Sequence, residues 1–320
     1  MKLSKLMIAV LAAYCAAASA QTYPTKPVRM VVPSTPGGSV DTLARTVATK
    51  LSEKWGQQVV VDNRSGAGGA IGAEMVAKAP ADGHTVIMAT IASAATNVSL
   101  RKNLPYDPVK DFAPITLVAT QNLMLVVHPS VPAKDVKSLI ALAKKQPGQL
   151  SFASAGNGTG GHLSGELFKL LAGIDLLHIP YKGVAPALVD VVAGQVSMTF
   201  ASLLSGTPHY KSARLRAFAV TGAKRAPGLP ELPTMQEAGV KGYESSTWYG
   251  VLAPAGTPQD IVNKLNADIV AILKQPEIHD RLSQEGAEPV GNTPQQFGAF
   301  IKSEIEKWGK VIRAAGIKAG

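Results

Sequence analysis

Short β-branched apolar runs alternate with amphipathic stretches from position 23 onward. Apolar runs of about four to eight residues indicate strands, whereas apolar residues three and four positions apart indicate helices. Because the two kinds of segment alternate, this part of the chain predicts a parallel α/β layer. The predicted order is strand 28–32, helix 40–55, strand 59–63, helix 70–79 and strand 85–89.

A second series of the same kind follows. It predicts strands at 123–127, 150–153, 177–180, 198–201 and 215–220, with helices at 134–145, 161–171 and 184–193 between them. After a Pro- and Gly-rich stretch at 227–242, the pattern predicts a strand at 248–253 and helices at 258–273, 276–284 and 293–315.

The two series predict two α/β lobes joined by chain crossings near Thr120 and Ser245. The first lobe is then discontinuous, formed by residues 21–120 and 246–320, and the second lobe spans residues 121–245. Open α/β sheets bind ligands at the loops that follow their strands. We therefore expect a ligand cleft between the lobes.

The first 20 residues have the features of a signal peptide. Two lysines precede a long apolar stretch, and the small residues Ala18-Ser19-Ala20 predict cleavage after Ala20. The single cysteine, Cys15, lies within this leader, and Tyr14 before it disfavours lipid modification. We therefore expect an exported, periplasmic protein whose mature chain has neither disulfides nor thiol chemistry.

Charge and aromatic content argue against a nucleic-acid partner. The net charge of +10 is scattered as single residues and pairs, and aromatic residues form only 5% of the chain. Nucleic-acid readers cluster basic residues beside exposed aromatic ones. A diffuse basic field instead attracts small anions.

The loop after the first predicted strand is a candidate anion site. Two glycines stand where the first helix begins, so backbone N–H groups and the helix dipole would face a bound anion. The alternative is a simple turn in which Ser39 or Asp41 caps the helix. The candidate residues are Ser34, Thr35, Pro36, Gly37, Gly38 and Ser39.

A denser glycine loop occupies the equivalent place in the second lobe. It offers neutral donors beside exposed amides, a suitable set for holding and releasing a carboxylate. The candidate residues are Ser154, Gly156, Asn157, Gly158, Thr159 and Gly160.

The same loop also matches the dinucleotide pattern G-x-G-x-x-G through Gly156, Gly158 and Gly161. A nucleotide site requires an acidic residue after the next strand, but Tyr181 and Lys182 stand there.

Other features leave the chemistry open. The third glycine-rich turn, residues 62–72, suits either tight strand-to-helix packing or ligand contact. His162 suits either the pocket or a role in capping, packing or facing solvent. The six histidines show no metal-ligand spacing, and Ser164 lacks the glycine that a nucleophile elbow needs. Trp248 and Tyr249 suit either the back wall of the cleft or hinge packing.

A set of short motifs resembles the Bug receptors, the extracytoplasmic solute receptors of tripartite tricarboxylate transport systems. The resemblance spans nearly the whole mature chain. Its markers are Pro36-Gly37-Gly38 with Asp41 and Ala44-Arg45, Asp62-Asn63-Arg64 with 66–69, Tyr106-Asp107-Pro108 with Asp111-Phe112, 154–158, 178–183, 194–196 and 254–258.

The resemblance implies a two-lobed periplasmic-binding-protein (flytrap) fold in which both loops grip a carboxylate ligand. It also implies roles for Tyr181 and Ser202 at the ligand, while Arg45 and Arg64 serve packing or surface roles. Ser34 departs from the family, which usually has an aromatic residue there, so a smaller and more polar wall is expected.

The sequence therefore predicts a periplasmic receptor that captures a small carboxylate and passes it to a tripartite-type membrane permease. We expect a monomer without enzymatic activity, cofactor or metal. The alternatives are a secreted α/β enzyme that uses the same cleft and a nucleotide-binding protein.

Overall fold

The computed structural model describes residues 23–284, 286–314 and 316–317. The predicted signal peptide lies outside the described residues. The strands are β1 Val28–Val32, β2 Val59–Asn63, β3 Thr85–Thr90, β4 Phe112–Val127, β5 Ser151–Ser154, β6 Leu177–Pro180, β7 Met198–Ser202, β8 Arg216–Val220, β9 Ser246–Pro254 and β10 Ala287–Pro289. The helices are α1 Ser39–Trp55, α2 Ala70–Ala77, α3 Asn97–Leu100, α4 Val136–Lys145, α5 Gly160–Ala172, α6 Val184–Val192, α7 Leu203–Lys211, α8 Gln259–Leu273, α9 Pro276–Gln284 and α10 Pro294–Ala314.

The long strand β4 belongs to both lobes. Its first part pairs antiparallel with β9 from Phe112 to Asn122, and its last part pairs with β7 and β8 from Leu123 onward. The first lobe has the strand order β2-β1-β3-β9-β4, and the second has β4-β7-β5-β6. The chain returns to the first lobe where Ser246 pairs with Asn122. The lobe boundaries at 120 and 246 remain predictions of where each folding unit ends.

Apolar side chains cover both faces of each sheet. In the first lobe, Val47 of α1 and Ile269 of α8 pack on one face, and Phe297 of α10 packs on the other. The second lobe has two separate buried clusters of apolar side chains. Phe168 of α5 belongs to one and Leu188 of α6 to the other, and each cluster includes residues of the sheet strands. Burial on both faces explains why the strands read as continuous apolar runs rather than as alternating ones.

The parallel strands position the helix starts. Strands β1 and β5 lie inside their sheets, and each leads directly into a loop and a helix, α1 and α5 respectively. Because the carboxyl ends of parallel strands share one edge of a sheet, the loops after them gather at the same edge. Among the described residues, no helix is both long and apolar enough to cross a membrane.

Candidate functional site

A small cavity of about 80 Å³ lies between the lobes. One water needs roughly 10–15 Å³ of such volume, so the cavity matches about six waters or one small molecule. Its lining residues are Pro33, Ser34, Gly38, Ser39, Val40, Gly68, Gly69, Thr90, Ile91, Leu123, Ala155, Thr159, Gly160, Gly161, Val184, Ala187, Thr199, Phe200, Ser202, Thr247 and Tyr249.

Helices α1 and α5 both begin at this cavity, one from each lobe. Ser39 and Val40 form the start of α1, and Gly160 and Gly161 form the start of α5. The first N–H groups of a helix have no partner within the helix, and no side chain caps either start. Two sets of backbone donors, each at the positive end of a helix dipole, therefore converge on one space.

Helices α6 and α7 add to the same wall. Helix α6 begins at Val184, which lines the cavity, and no side chain caps this helix start, where Gly183 is the N-cap residue. Ser202 caps α7 with its side chain, which accepts a hydrogen bond from the Ser205 amide at 3.2 Å. The hydroxyl of Ser202 thus serves a helix cap and also lies at the cavity wall.

The described side chains that line the cavity carry no charge. Their polar groups are hydroxyls, and apolar side chains such as Ile91 and Phe200 supply the rest of the wall. The buried Tyr249 hydroxyl lies 3.2 Å from Oε1 of Gln121. Burial raises the pKa of Tyr249 well above its usual value, so this hydroxyl stays neutral while its O–H donates to Gln121. A bound anion would therefore meet neutral donors rather than a counter-ion.

The first loop divides into lining and supporting residues. The amide of Gly37 donates to Asp41 Oδ2 at 3.0 Å, so this N–H is already occupied. Thr35, Pro36 and Gly37 are absent from the cavity wall, and the buried Thr35 hydroxyl lies beside Gly183 of the other lobe.

Asp41 supports this loop through the hydrogen bonds of its carboxylate. Its carboxylate also accepts from Asn63 Nδ2 at 2.9 Å and from Arg45 Nε at 3.0 Å. Burial by itself would raise the pKa of Asp41, but the hydrogen bonds from Arg45, Gly37 and Asn63 lower it below the usual value. Asp41 is therefore an ionised support of the loop, and neither Asp41 nor Arg45 lines the cavity.

The second loop is divided in the same way. Thr159 and Gly160 line the cavity, whereas Ser154, Gly156, Asn157 and Gly158 lie behind the wall. The Ser154 hydroxyl accepts from the Gly156 amide at 3.1 Å, and the Thr159 hydroxyl donates to the Gly156 carbonyl at 2.7 Å. These bonds fix the loop so that α5 starts at the cavity.

Tyr181 and Ser202, the two residues singled out by resemblance, lie in different places. Ser202 lines the cavity, but Tyr181 does not. The Tyr181 hydroxyl donates to Asp190 Oδ2 at 2.5 Å. Desolvation and this bond to Asp190 raise the pKa of Tyr181 to about 12. The tyrosine therefore ties the loop after β6 to α6.

The two lobes touch directly around the cavity. The hydroxyls of Ser39 and Ser202 lie 2.5 Å apart, and the Thr96 hydroxyl donates to the Gly158 carbonyl at 2.7 Å. A Cβ placed on Gly68 would lie 2.5 Å from the Asn157 carbonyl oxygen, so only glycine allows this approach. The structure is therefore a closed arrangement of the two lobes.

Several lining residues were left open or missed by sequence reasoning. Gly68 and Gly69 of the third glycine-rich turn line the cavity, as does Tyr249, for which wall and hinge were both considered. Trp248 instead is buried in the core and donates to Glu304. Thr90, Thr199 and Thr247 lie at or next to strand ends, and no local motif marked them.

The groups that an enzyme or a nucleotide site would need do not assemble at the cavity among the described residues. Ser154 lies 2.7 Å from His178 Nε2, but this serine is buried outside the cavity wall. The chain after β6 continues with Tyr181 and Lys182, without the acid that a ribose needs. In the part of the chain that is described, no three His, Cys, Asp or Glu residues group as metal ligands would.

A cleft between two α/β lobes, formed by loops from both, defines a solute-binding protein of the two-lobed class. The chain belongs to the tripartite tricarboxylate transporter receptor family, whose family model matches residues 43–317. It is 39% identical to BugT of Bordetella pertussis over 308 residues, which are 96% of this chain and 94% of BugT.

Solved structures agree with this assignment. The R. palustris protein Rpa4515, solved with adipate, is 44% identical and has a TM-score of 0.90, over 92% of this chain and 99% of that one. The periplasmic binding protein BugD is 38% identical with a TM-score of 0.88, again over 92% and 99%. The predicted family, the two-lobed fold and the receptor role are therefore confirmed.

Proposed function

We propose that this receptor captures a small carboxylate by placing its anionic group between the starts of α1 and α5. The observation that carries this proposal is the convergence of two helix starts, from opposite lobes, on one cavity without a charged lining side chain. The solved relative Rpa4515 holds adipate, a carboxylate, which supports the same ligand class here.

Six of the predicted residues then contact the ligand directly, and the others shape the loops. The direct contacts are Ser34, Gly38, Ser39, Thr159, Gly160 and Ser202, all at the cavity wall. The supporting residues are Thr35, Pro36, Gly37, Ser154, Gly156, Asn157, Gly158 and Tyr181. Lining residues outside this set, notably Gly69, Gly161 and Tyr249, complete the wall.

Neutral donors are sufficient for transport affinity. A hydrogen bond to a charged group contributes about 1.5–3 kcal/mol, so four or five approach the ~8 kcal/mol of micromolar binding after ordering costs. A ligand that touches α1 and α5 together binds the closed form better than the open one, so it shifts the population toward closure. The closed form is the species delivered to a permease.

We also propose that the protein is exported. The leader is cleaved after Ala20, and the mature monomer works in the periplasm without cofactor or chemical turnover. The neutral cavity wall favours this function over an enzyme, because the lining set among the described residues contains hydroxyls but no histidine, carboxylate, lysine or cysteine that could activate them.

The test is a thermal-shift screen of the mature protein with adipate, malate, citrate, benzoate and glutamate. A ligand at a hundred times its dissociation constant adds about 2.7 kcal/mol to stability, which is readily measured. Adipamide serves as the matched control, because it keeps the chain length and removes the charges. Nicotinamide nucleotides test the rival site.

Stabilisation by a carboxylate but not by its amide supports the proposal. A shift with nucleotides alone, or equal shifts with adipate and adipamide, contradicts it. Incubation of each stabilising acid with the protein, followed by mass spectrometry of the recovered acid, checks for turnover, and any conversion contradicts the receptor mechanism.

A further inference from the structure

A stack of three rings lies beneath the second ligand loop. The ring of Phe152 on β5 stacks on His178 of β6 at a centroid distance of 4.8 Å, and His178 stacks on His162 of α5 at 4.1 Å. His162 is only 3% exposed, and neither histidine lines the cavity. The proposed capture of a ligand makes no direct use of these imidazoles.

Each imidazole is bonded to the loop. The Gly158 amide donates to His162 Nδ1 at 2.9 Å, and the Ser154 hydroxyl lies 2.7 Å from His178 Nε2. Because Nδ1 of His162 accepts a hydrogen bond, neutral His162 must carry its proton on Nε2. The loop is thus fixed at Ser154, where it leaves β5, and at Gly158, just before α5 begins.

The surroundings of the stack disfavour an imidazolium. Desolvation, followed by the charges of His178 and Lys169, lowers the pKa of His162 to about 3. Desolvation and Lys169 lower the pKa of His178 to about 4. The nearest acid, Glu166, lies 3.9 Å from His162 Nε2, but it is bound to Lys169 at 3.2 Å. Its charge is therefore largely offset.

We propose that His162 and His178 are positioning residues that hold the ligand loop 154–160 in its binding shape through their neutral imidazoles. Only the role of this loop in ligand binding rests on the proposed function, because the hydrogen bonds to the two histidines involve no ligand. A proton on His162 Nδ1 would remove the acceptor of the Gly158 amide and place a charge against His178. The start of α5 would then lose its fixed position at the cavity.

The test compares two variants of the mature protein in the absence of ligand. His162→Leu removes the acceptor, whereas His162→Asn retains one near the position of Nδ1. Hydrogen exchange is followed by NMR at the Gly158 amide. Loss of one hydrogen bond of up to about 1.5 kcal/mol predicts exchange up to roughly tenfold faster in His162→Leu, with protection largely restored in His162→Asn.

The protonation state is read independently from the nitrogen shifts of ¹⁵N-labelled histidine. At pH 5.5 an ordinary imidazole, with a pKa near 6.5, is mostly charged. We expect His162 and His178 to remain neutral at that pH, with the proton of His162 on Nε2. Acidification from pH 5 to pH 3 should accelerate exchange at Gly158 beyond its intrinsic pH dependence, while amides in the middle of α1 follow theirs.

Two results would overturn the inference. One is an imidazolium signature for either residue at pH 5.5, and the other is unchanged Gly158 protection in His162→Leu. Neither readout needs a bound carboxylate, so a failed ligand screen and a failed positioning role are distinguishable.

Discussion

The hydroxyl oxygens of Ser39 and Ser202 lie 2.5 Å apart and join the first turn of α1 to the cap of α7 across the cleft. Together with the bond from Thr96 to the Gly158 carbonyl, this contact links the lobes without any ligand atom. Each such bond contributes about 0.5–1.5 kcal/mol. Closure therefore has a contribution from the protein itself, and the ligand needs to supply only the remainder.

Removal of the serine contact should open the free protein. In Ser39→Ala we expect the closed population to fall by up to about tenfold relative to the open one, because one interlobe bond is lost. Small-angle scattering of the ligand-free protein should show a larger radius of gyration. Ser212→Ala, at an exposed serine within the second lobe, is the control. An unchanged radius of gyration in Ser39→Ala would show that the contact between Ser39 and Ser202 does not influence closure.

Gly158→Val should abolish carboxylate binding while leaving each lobe folded. Gly158 has φ +79°, and a Cβ there would lie 2.6 Å from Thr96 Oγ1 and Leu100 Cδ1 of the other lobe. The valine therefore obstructs closure. Isothermal titration with the acid from the screen measures the loss. Gly173→Val is the matched control, since Gly173 has φ +60° but open space around it. Equal affinity in both variants would contradict the role of the close approach.

Asp41→Asn should destabilise the protein near neutral pH by about 1–3 kcal/mol, because charge-assisted bonds to Gly37, Arg45 and Asn63 are weakened. The folded pKa of Asp41 lies below its unfolded value, so its stabilisation is present above pH ~4 and is lost as the pH falls through the folded pKa. Urea unfolding at pH 7 and pH 3 should show that the difference in unfolding free energy between wild type and Asp41→Asn is smaller at pH 3. Asp280→Asn, at a carboxyl 72% exposed, is the control.

Glu304→Leu should cost about 2–4 kcal/mol of stability. Glu304 Oε2 accepts from the indole nitrogens of both Trp248 and Trp308 at 2.9 Å, and leucine leaves two buried donors without a partner. Glu304→Gln keeps an acceptor oxygen and should lose less. Glu306→Leu, at a carboxyl 71% exposed, should change stability by no more than about 0.5 kcal/mol. Chemical unfolding ranks the three variants, and a different order would refute the bridging role.

The order of strands and helices was largely predictable because each lobe buries both faces of its sheet. The apolar runs at 28–32 and 59–63 became β1 and β2 with the predicted bounds. The first part of β4, from Phe112 to Asn122, was missed. Its partner β9 lies more than 100 residues away along the chain, Pro114 disfavours a strand locally, and the register with β9 shifts between Pro114 and Thr116.

Helix α7 was also missed. It spans Leu203–Lys211 with Pro208 inside it, and neither a strong apolar periodicity nor a marked start is visible there. The structure shows that Ser202 supplies the cap, a role that the sequence alone does not separate from ligand contact.

At the site, the local sequence pattern located the two loops at the cavity, but it did not separate the residues that line the cavity from those that support the loops. Glycines next to hydroxyl residues mark a helix start that can face an anion, whichever lobe carries it. Whether an amide is available depends on hydrogen bonds that form only in the folded loop: His162 accepts from the Gly158 amide and Asp41 accepts from the Gly37 amide, each from four positions further along the chain.

The sequence by itself determined the family, the two α/β series and the glycine-rich loops, because these depend on local periodicity and on short motifs. Only the tertiary structure decided which residues share the cavity. Gly68, Thr199 and Tyr249 come from separate strands and loops, and they reach one wall because the lobes close upon each other. That closure depends on contacts such as Ser39 with Ser202, 163 positions apart, which no local pattern encodes.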